Sequence, residues 1–353
     1  MARKSILYLL MAFLLLFGCW GKPSPQEVES SVASDIPTSH LTLSPTAIPT
    51  DSFTPSPVPT PTPAEVPTPS PSPEATSVPE PFGFVWIPDT QELSYFYPKK
   101  LAALGEWISS RTEADHLIGV IHSGDIVDNG WKQWQWENFN CCLDAFRDDL
   151  VFFPVAGNHD LGVSIPSYDG YLRQTFLDVF PEDQKYDGGK MLYTIFHEDG
   201  MDLMLLGIGW GMDKTPDEQS WIDEIMRAHA DIPCIVVTHA YLIEPDRFLG
   251  YAAYLETELV AKYPNIRLVL CGHVHRGFFT AEHTYDDTGD GKPDRTVYTL
   301  LLDNQDGELL YRELLIDPVT RSLSVRTYEL GSDEPVPDSQ KYGPANFMIE
   351  NVF

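Results

Sequence analysis

The chain has 353 residues, of which 52 are acidic and 23 are basic, and its formal net charge at pH 7 is −29. Proteins that bind nucleic acid neutralise phosphates with Lys and Arg, so this composition predicts no nucleic-acid binding surface. A strongly acidic surface instead favours solubility outside the cell. The stretch 82–353 has the length of one large domain.

The first 19 residues are predicted to direct export. Arg3 and Lys4 form a positive region, and residues 6–17 form an apolar segment too short to span a bilayer comfortably. Gly18-Cys19, directly after this segment, resembles the lipobox of bacterial lipoproteins. We therefore predict a lipoprotein signal peptide over 1–19, with acylated Cys19 anchoring an extracytoplasmic protein to the bacterial cell membrane. An ordinary signal peptide or an uncleaved anchor is the alternative.

Residues 20–81 are rich in Pro, Ser and Thr, and 55–73 are nearly a Pro-Thr/Ser repeat. Such a segment lacks the apolar residues that a core needs and favours extended polyproline geometry. It is predicted to be a disordered linker between the membrane and a catalytic domain at 82–353. An O-glycosylated or wall-traversing stalk is compatible with this interpretation.

Apolar strand-like runs alternate with helical patterns through the rest of the chain, which indicates an α/β fold. Strands are predicted at 82–88, 117–123, 151–156, 191–197, 201–207, 234–237, 266–271, 297–302, 308–316 and 323–328. Helices are predicted at 99–111, 131–146, 220–229 and 251–262. The pattern predicts two mixed β-sheets that pack face to face, with helices outside.

Five of the strands are each followed by a short polar segment. These segments are Asp89-Thr90-Gln91, Gly124 to Asp128, Gly157-Asn158-His159-Asp160, Thr238-His239 and Gly272-His273-Val274-His275. Parallel strands in an α/β sheet direct their carboxyl ends at one crevice, so these residues are expected to converge. Their oxygen and nitrogen donors suit two divalent or trivalent metals.

The order and spacing of these motifs resemble those of the calcineurin-like metallophosphoesterases over roughly 82–328. The resemblance implies the two-sheet sandwich and two bound metals, Mn, Fe or Zn. It implies that Asp125 bridges the metals. The other ligands that it implies are Asp89, Gln91 and His275 at the first metal, and Asn158, His239 and His273 at the second. His159 matches the residue that contacts phosphate and protonates the leaving oxygen, and Asp160 or Asp128 would orient it.

One motif departs from the family pattern. The usual first motif is Asp-x-His, whereas this chain has Asp89-Thr90-Gln91. A neutral amide oxygen is a harder and weaker ligand than imidazole, so Gln91 either binds the first metal weakly or contacts a water of that metal. We interpret Asp-Thr-Gln as a feature of a lipoprotein branch of the superfamily.

A second candidate metal site lies between two later strands. Asp286, Thr288, Asp290 and Asp294 alternate around glycines like the opening of a calcium loop, but no Glu completes a twelve-residue loop. A polar hairpin tip is the alternative.

The sequence therefore predicts an extracytoplasmic phosphoric ester hydrolase, a monomer in which a metal-bound hydroxide attacks a phosphomonoester or phosphodiester. A small phosphorylated substrate is compatible with the acidic composition, since two metals supply local positive charge. One alternative is a phosphodiesterase with narrow specificity for nucleotides or cyclic nucleotides. Another is a non-catalytic surface-binding protein on the same scaffold.

Overall fold

The computed structural model describes residues 78–114, 116–146, 150–161, 177–212, 214–244, 247–250, 252–275, 277–303, 309–338 and 343–353. The predicted signal peptide, Cys19 and most of the predicted linker lie outside these residues, so the anchor and the linker stay predictions. None of the helices in the described ranges has the length and apolarity that a membrane crossing requires.

The described elements follow one another as strands and helices in alternation. The strands are β1 (Phe82–Ile87), β2 (Leu117–His122), β3 (Val151–Pro154), β4 (Lys185–Tyr186), β5 (Met191–Glu198), β6 (Met201–Ile208), β7 (Cys234–Thr238), β8 (Leu242–Glu244), β9 (Arg247–Phe248), β10 (Ile266–Cys271), β11 (Phe278–Tyr285), β12 (Arg295–Leu302), β13 (Leu310–Asp317), β14 (Ser322–Glu329) and β15 (Phe347–Ile349). The helices are α1 (Gln91–Phe96), α2 (Pro98–Ala114), α3 (Gln133–Leu143), α4 (Pro216–Ala228) and α5 (Ala252–Leu255), the last continuing into a π-helical turn, Glu256–Val260. Short 3₁₀ turns lie at Leu177–Val179, Glu182–Gln184 and Asp187–Gly189.

Two mixed sheets form the body of the domain, as the sequence predicts. The first has the order β15-β14-β13-β1-β2-β3, and the second has the order β11-β12-β10-β7-β6-β5-β4. β1, β2 and β3 are parallel to one another, and so are β6, β7, β10 and β12. The antiparallel strands are β13, β14 and β15 at one side of the first sheet, and β11, β5 and β4 at the two sides of the second. Each sheet therefore has a parallel part, which lies at one side of the first sheet and in the middle of the second, and the strands of each part end at the same edge.

Side-chain alternation along the strands produces the layers. On β1, Phe84 and Trp86 face the core between the sheets, where they join residues of the second sheet such as Leu205 and Leu270. Val85 and Ile87 face the opposite way, toward helices α2 and α3. A second helical layer, formed by α4 and α5, covers the other sheet. Successive strand residues point to opposite faces, so one apolar strand supports both layers.

Helix α4 starts earlier than the sequence pattern predicts. Thr215 caps it: its hydroxyl accepts the Glu218 amide at 3.3 Å, and the Glu218 carboxylate accepts the Thr215 amide at 2.8 Å. Pro216 then occupies the first helical position, where its missing N–H costs nothing. This capping box shifts the start of the helix from the predicted residue 220 to Pro216.

Candidate metal centre

The carboxyl ends of five parallel strands bring the predicted motifs together. Asp89 follows β1, Asp125 follows β2, Asn158 follows β3, His239 follows β7 and His273 follows β10. The strand ends turn sharply, and Asp89, Asp125 and His273 all have positive φ, at 40°, 52° and 71°. For residues with a side chain this backbone conformation is uncommon and marks sites where a particular side-chain direction is held.

Three of these side chains form a compact group of donor atoms. Ligand atoms of Asp125, His239 and His273 all lie within 4.8 Å of one another. The Nε2 atom of His239 is 3.1 Å from Asp125 Oδ2, 3.1 Å from Asn158 Oδ1 and 3.1 Å from His273 Nδ1. Four side chains thus direct nitrogen and oxygen atoms at a single point.

The orientation of the His239 ring is fixed by a hydrogen bond from its other nitrogen, Nδ1. Its Nδ1 lies 3.0 Å from the carbonyl oxygen of Ser123, which can only accept a hydrogen bond. Nδ1 therefore carries the hydrogen, and in the neutral ring the lone pair is on Nε2, which faces the other donor atoms. A histidine whose second nitrogen is held by a carbonyl in this way is typical of metal ligands.

Asp89 and Gln91 extend the group on its other side. The Asp89 carboxylate accepts the His273 amide at 3.1 Å and lies 4.0 Å from His239 Nδ1. Gln91, the first residue of α1, donates from Nε2 to Asp125 Oδ2 at 3.3 Å. Its Oε1 atom is buried and has no hydrogen-bond partner among the described residues. A buried carbonyl oxygen without a donor is expected to have a cation or a water as its partner.

The glycines of the motifs make room for these ligand atoms. A Cβ on Gly157 would lie 2.1 Å from Asp125 Oδ1, one on Gly272 would lie 2.2 Å from Asp89 Oδ2, and one on Gly124 would lie 2.6 Å from His239 Nδ1. No real side chain tolerates such distances, so each glycine is required by the adjacent carboxylate or imidazole atom.

Burial and neighbouring charges shift the pKa values of Asp89 and Asp125 in opposite directions. Burial and the charge of Asp303 raise the pKa of Asp89 well above its ordinary value, although His239 acts to lower it. Burial acts to raise the pKa of Asp125 as well. The charge of His239 and hydrogen bonds from His239 and the His159 amide outweigh this effect, so the pKa of Asp125 is lowered.

The pKa values of His239 and His273 also shift in opposite directions. Burial acts to lower the pKa of His239, but the charge of Asp125 and its hydrogen bond raise this pKa to about 9. Burial and the neighbouring His239 instead lower the pKa of His273 to about 4. A protonated His239 against a buried carboxylate is a positive charge that a metal cation can replace. The donor set therefore fits a metal.

His159 points to the open side of the site. Its amide donates to Asp125 Oδ1 at 2.9 Å, and its ring nitrogen Nδ1 donates to the Asp128 carbonyl at 2.7 Å. The Asp128 carboxylate is 3.6 Å from the same nitrogen. The ring is 39% exposed, and its Nε2 is 4.0 Å from Asp125 Oδ2. The second nitrogen is thus held toward the carboxylate of Asp125, a predicted metal ligand, and remains accessible.

Asp160 has a different place from the one that the sequence suggests. Its carboxylate is buried and accepts the backbone amides of Val127 at 3.0 Å and Gly157 at 2.8 Å. Burial raises its pKa to about 7, with a contribution from the charge of Asp125. Asp160 therefore ties the second and third motifs together, and the contacts to the His159 ring come from Asp128.

His275 does not join the group of donor atoms. Its side chain is exposed, and the cluster of ligand atoms found in the described part of the chain does not include it. Its predicted position at the first metal stays a prediction without a supporting contact.

The candidate calcium loop forms the exposed turn between β11 and β12. Asp286 accepts the amides of Gly289 at 2.7 Å and Gly291 at 2.6 Å, and Asp294 accepts the Thr288 amide at 2.8 Å. These carboxylates close the turn, as a polar hairpin tip requires. Calcium binding at this loop stays a prediction.

Three residues near the centre were not identified from the sequence. The Trp210 ring, just beyond β6, lies 5.0 Å from the ring of His273. His122, at the end of β2, bonds to the Thr90 hydroxyl at 3.0 Å, and Thr90 donates to the Ile126 carbonyl at 2.8 Å. Asp303, just beyond β12, is buried and contributes to the shifted pKa of Asp89. The only sequence signal for Trp210 and Asp303 is that each closely follows an apolar strand.

The fold and the site together define a class: a two-sheet α/β sandwich with a nitrogen and oxygen cluster at the ends of its parallel strands. A family model described as calcineurin-like phosphoesterase matches residues 84–277, which is more than half of the chain. The chain belongs to this family, whose fold is that of metal-dependent phosphoesterases.

One bacterial protein and two solved structures are similar to this chain. The chain is 30% identical over 272 residues to the uncharacterized protein YvnB of Bacillus subtilis (strain 168), a match that covers 74% of this chain and 21% of YvnB. Among solved structures it is similar to purple acid phosphatase PPD1 from yellow lupin (Lupinus luteus) seeds, with a TM-score of 0.51, 14% identity and coverage of 79% of this chain and 55% of that one. TT1561 of Thermus thermophilus matches with a TM-score of 0.44, 14% identity and coverage of 70% and 99%. The chain thus spans about a fifth of YvnB and about half of the phosphatase.

Proposed function

We propose that this protein hydrolyses phosphomonoesters or phosphodiesters with two metal ions. The carrying observation is the convergence of Asp125, Asn158 and His273 on Nε2 of His239, each at 3.1 Å. The buried Oε1 of Gln91, which has no partner among the described residues, adds a further oxygen donor beside Asp125. Membership of the calcineurin-like phosphoesterase family supports the reaction class.

The chain offers ligands for two metal positions around Asp125. The two Asp125 oxygens face different neighbours: Oδ2 faces His239 and Gln91, and Oδ1 accepts the His159 amide. Asp125 is therefore the residue proposed to bridge the positions. Asp89 and Gln91, with His275 as the family pattern implies, serve the first position, and Asn158, His239 and His273 serve the second. When bound, two metals would polarise the phosphoryl group and provide a nucleophile at neutral pH.

His159 is proposed to assist departure of the alcohol. The Asp128 carbonyl fixes Nδ1 as the hydrogen-bearing donor, which directs Nε2 toward the ligands and leaves it accessible. A group in this position can place a proton on the leaving oxygen of a phosphoester. Asp128 is the positioning residue for this ring, and Asp160 supports the loops around it.

We also propose that the enzyme acts outside the cytoplasm on a small phosphorylated substrate, anchored through Cys19. The lipobox-like sequence and the Pro-rich stretch at 20–81 support this placement. Wild-type protein should carry acyl chains on its N-terminal cysteine in intact-mass spectra. Cys19→Ser should yield unlipidated protein that is retained as precursor or released. Wild-type protein without acyl chains would refute the anchor.

The central experiment combines metal analysis with a substrate panel. Protein stripped of metal is assayed on aryl and alkyl phosphomonoesters, on bis-aryl diesters and on nucleotides, with Mn²⁺, Zn²⁺, Fe²⁺ or Mg²⁺ added. We expect metal-dependent turnover in wild type and in the matched control Glu282→Gln, an exposed acid on β11. Turnover of nucleotides alone would favour the narrow phosphodiesterase. Metal binding without turnover of any ester would favour the non-catalytic scaffold and overturn the proposed hydrolase.

A further inference from the structure

The large aromatic side chains that are exposed in the described part of the chain all lie in two short segments. One segment is the end of helix α1 and the residue after it, and the other is the start of helix α3 and the residues before it. Exposed apolar side chains that cluster in this way, unlike scattered ones, mark a site for a ligand or a partner. The five residues, here called the aromatic rim, are Tyr95, Phe96, Tyr97, Trp131 and Trp134.

Trp131 follows directly on the segment that holds His159. The Asp128 carbonyl accepts a hydrogen bond from His159 Nδ1 at 2.7 Å, and the Gly130 amide donates to the His159 carbonyl at 2.8 Å. A Cβ on Gly130 would lie only 2.0 Å from the Asp160 carbonyl oxygen, so this segment packs tightly on the third motif. The Trp131 Cα is one step of about 3.8 Å further along the chain. The rim therefore adjoins the side of the site where His159 is proposed to protonate the leaving oxygen.

Helix α1 connects the rim to the centre a second time. Gln91 is the first residue of this helix and donates to Asp125 Oδ2 at 3.3 Å. Tyr95 follows four residues later, and residues at this spacing share one face of a helix. Both rim segments therefore continue from residues that contact the proposed metal centre or His159.

The two segments are also joined to each other. The Asn138 side chain on α3 donates to the Ser94 carbonyl on α1 at 2.8 Å. The rings of Tyr95 and Trp134 meet edge to face with their centroids 5.3 Å apart, and the centroids of Tyr95 and Phe96 are 4.4 Å apart. The rings thus form a preformed surface, which loses little conformational entropy when a ligand binds.

The rim carries a small positive charge on a strongly acidic protein. Residues 91–100 and 130–138 contain three lysines and two glutamates, a formal charge of +1, whereas the whole chain has −29. All three lysines are exposed. Aromatic faces beside ammonium groups suit a ligand that is both planar and anionic. The charged residues are Lys99, Lys100, Lys132, Glu92 and Glu137.

We propose that the aromatic rim binds the base of a nucleoside phosphoester and so selects the substrate of the proposed hydrolase. The inference rests on the proposed function. Every nucleobase has a planar face that stacks on aromatic side chains, and the exposed lysines attract the phosphate charge. The base belongs to the alcohol that leaves, because Trp131 adjoins the residue proposed to protonate that alcohol.

Adenosine monophosphate and ribose monophosphate, with the phosphate on the same ribose oxygen, isolate the contribution of the base. They share the leaving oxygen and the phosphate, so a difference in KM comes from the adenine. The full chain with its preferred metal should have a lower KM for the adenosine compound. Trp131→Ala should raise this KM at least about fivefold, the lower end of what one stacked base contributes, and leave the ribose compound unchanged. If only diesters are turned over, the methyl diesters of the two compounds replace them.

Two further variants and a control separate stacking from a structural role. Trp131→Phe keeps an aromatic face and should restore most of the preference. Tyr95→Ala changes the other segment and should also raise the KM for the adenosine compound alone. Val319→Ala should change neither KM. Val319 is 63% exposed, and it lies in the turn after β13, beside the Ile316–Phe82 pair at the end of β1 away from Asp89.

Binding of adenosine, the product, gives a readout that needs no turnover. Adenosine stacked on Trp131 should quench tryptophan fluorescence of the wild-type protein, and Trp131→Ala should bind adenosine at least about fivefold more weakly. Ribose should cause no quenching in either protein. Equal adenosine affinity in wild type and Trp131→Ala, or equal losses of activity on both monophosphates, would overturn the inference.

The remaining outcomes separate this inference from its alternatives. A lipid surface is the other class of partner that exposed aromatic and lysine side chains can bind. If Trp131→Ala binds less well to vesicles of equal parts phosphatidylglycerol and phosphatidylcholine, with unchanged kinetics on both monophosphates, the rim is a lipid-docking surface and the inference is overturned. If wild type hydrolyses no phosphoester with any metal, the proposed function fails and the substrate class fails with it. If wild type is an active hydrolase with equal KM values for the two monophosphates, only the inference fails.

Discussion

Asp125 Oδ2 lies 3.1 Å from His239 Nε2, and both side chains are buried. The other ring nitrogen of His239 is committed to the Ser123 carbonyl, so Nε2 is available to either a proton or a metal. The raised pKa of His239 and the lowered pKa of Asp125 both result from this contact. The pair therefore couples protonation, stability and metal binding at a single point.

Asp125→Asn should remove most of the activity and most of the bound metal. The variant keeps the shape of the side chain but loses the negative charge that the two proposed metal positions would share. Loss of metal-based charge stabilisation is worth several kcal/mol, so activity should fall by about 10³-fold or more. Metal content by elemental analysis and turnover of an aryl phosphate are the measurements. A folded Asp125→Asn protein with full metal content would contradict the bridging role.

Metal-free protein should become less stable as pH rises from about 6.5 to about 9. The folded-state pKa of His239 is raised from 6.5 to about 9, so its contribution is fully present below pH 6.5 and is lost as pH rises through 9. The effect is on the order of 3 kcal/mol. Burial also raises the pKa of Asp160 to about 7, so its contribution to the free energy of unfolding is lost as pH rises through about 7.

Urea denaturation with a chelator, at about pH 7.5 and about pH 8.5, measures this loss through the free energy of unfolding, below the pH at which the buried thiols of Cys142, Cys234 and Cys271, whose pKa values burial raises, begin to contribute. His239→Gln should reduce the pH dependence in this window, and the dependence that remains belongs to Asp89, whose pKa is raised by burial and by the charge of Asp303. His122 and His273 do not contribute in this window, because they are neutral above about pH 7.5 both in the unfolded chain and in the folded one, where their pKa values are lowered to about 3 and about 4. A free energy of unfolding that rises with pH between these values would contradict the assigned proton on His239.

Much of this site follows from the sequence. Each ligand type stands directly after an apolar run, and the predicted strands 82–88, 117–123 and 266–271 match β1, β2 and β10 to within a residue. The convergence of Asp89, Asp125 and the later histidines requires only that parallel strands end at one edge. The packed sheets follow from the alternation of side chains along the same strands.

The remaining features depend on side-chain direction and sheet order, which local patterns do not encode. Asp160 is next to His159 in the sequence and Asp128 lies 31 residues before it, and only the folded turn directs the Asp160 carboxylate to backbone amides instead of to the His159 ring. Asp303 becomes relevant because β12 lies beside β10, a long-range pairing. The edge strand β11, Phe278–Tyr285, and the short helix α1 were not predicted for similar reasons.

Two arginines on opposite faces of the first sheet should respond differently to removal of their charge. Arg111 makes a two-pronged ion pair with the buried Glu313, at 2.9 and 3.2 Å. Arg312 is fully buried, donates from Nε to Thr327 at 3.1 Å, and has no partner for Nη1 and Nη2 among the described residues. Burial lowers the pKa of Arg312 to about 9.

Arg111→Met should lower the free energy of unfolding by about 3 kcal/mol, because it leaves Glu313 buried without its cation. Arg312→Met should raise the free energy of unfolding by about 1–3 kcal/mol, since it removes a buried charge that has no counter-ion in the described part of the chain. Urea denaturation of the two variants side by side measures both values. A lower stability for Arg312→Met would show that its contacts with the Trp86, Phe278 and Phe347 rings outweigh the cost of burying the charge.

His159→Ala should separate metal binding from proton transfer. The His159 ring is bonded to Asp128, whereas the neighbouring Asn158 is bonded to His239, so the two side chains diverge from one turn. Metal content should therefore stay near the wild-type level. A general acid contributes about 10²–10⁴-fold, and less when the leaving group is already good. Turnover should fall strongly on alkyl phosphoesters and less on nitrophenyl esters, whose leaving group needs little protonation.

The measurement is kcat on matched alkyl and nitrophenyl substrates, with metal content determined on the same samples. His197→Ala provides the control, because His197 is an exposed histidine on β5 that pairs with Asp202. It should leave both activities and the metal content unchanged. Equal losses on the two substrate types in His159→Ala would remove the acid role and leave a residue that positions phosphate. Loss of metal would instead place His159 among the ligands, because the ring would then be holding the ion whose departure its removal causes.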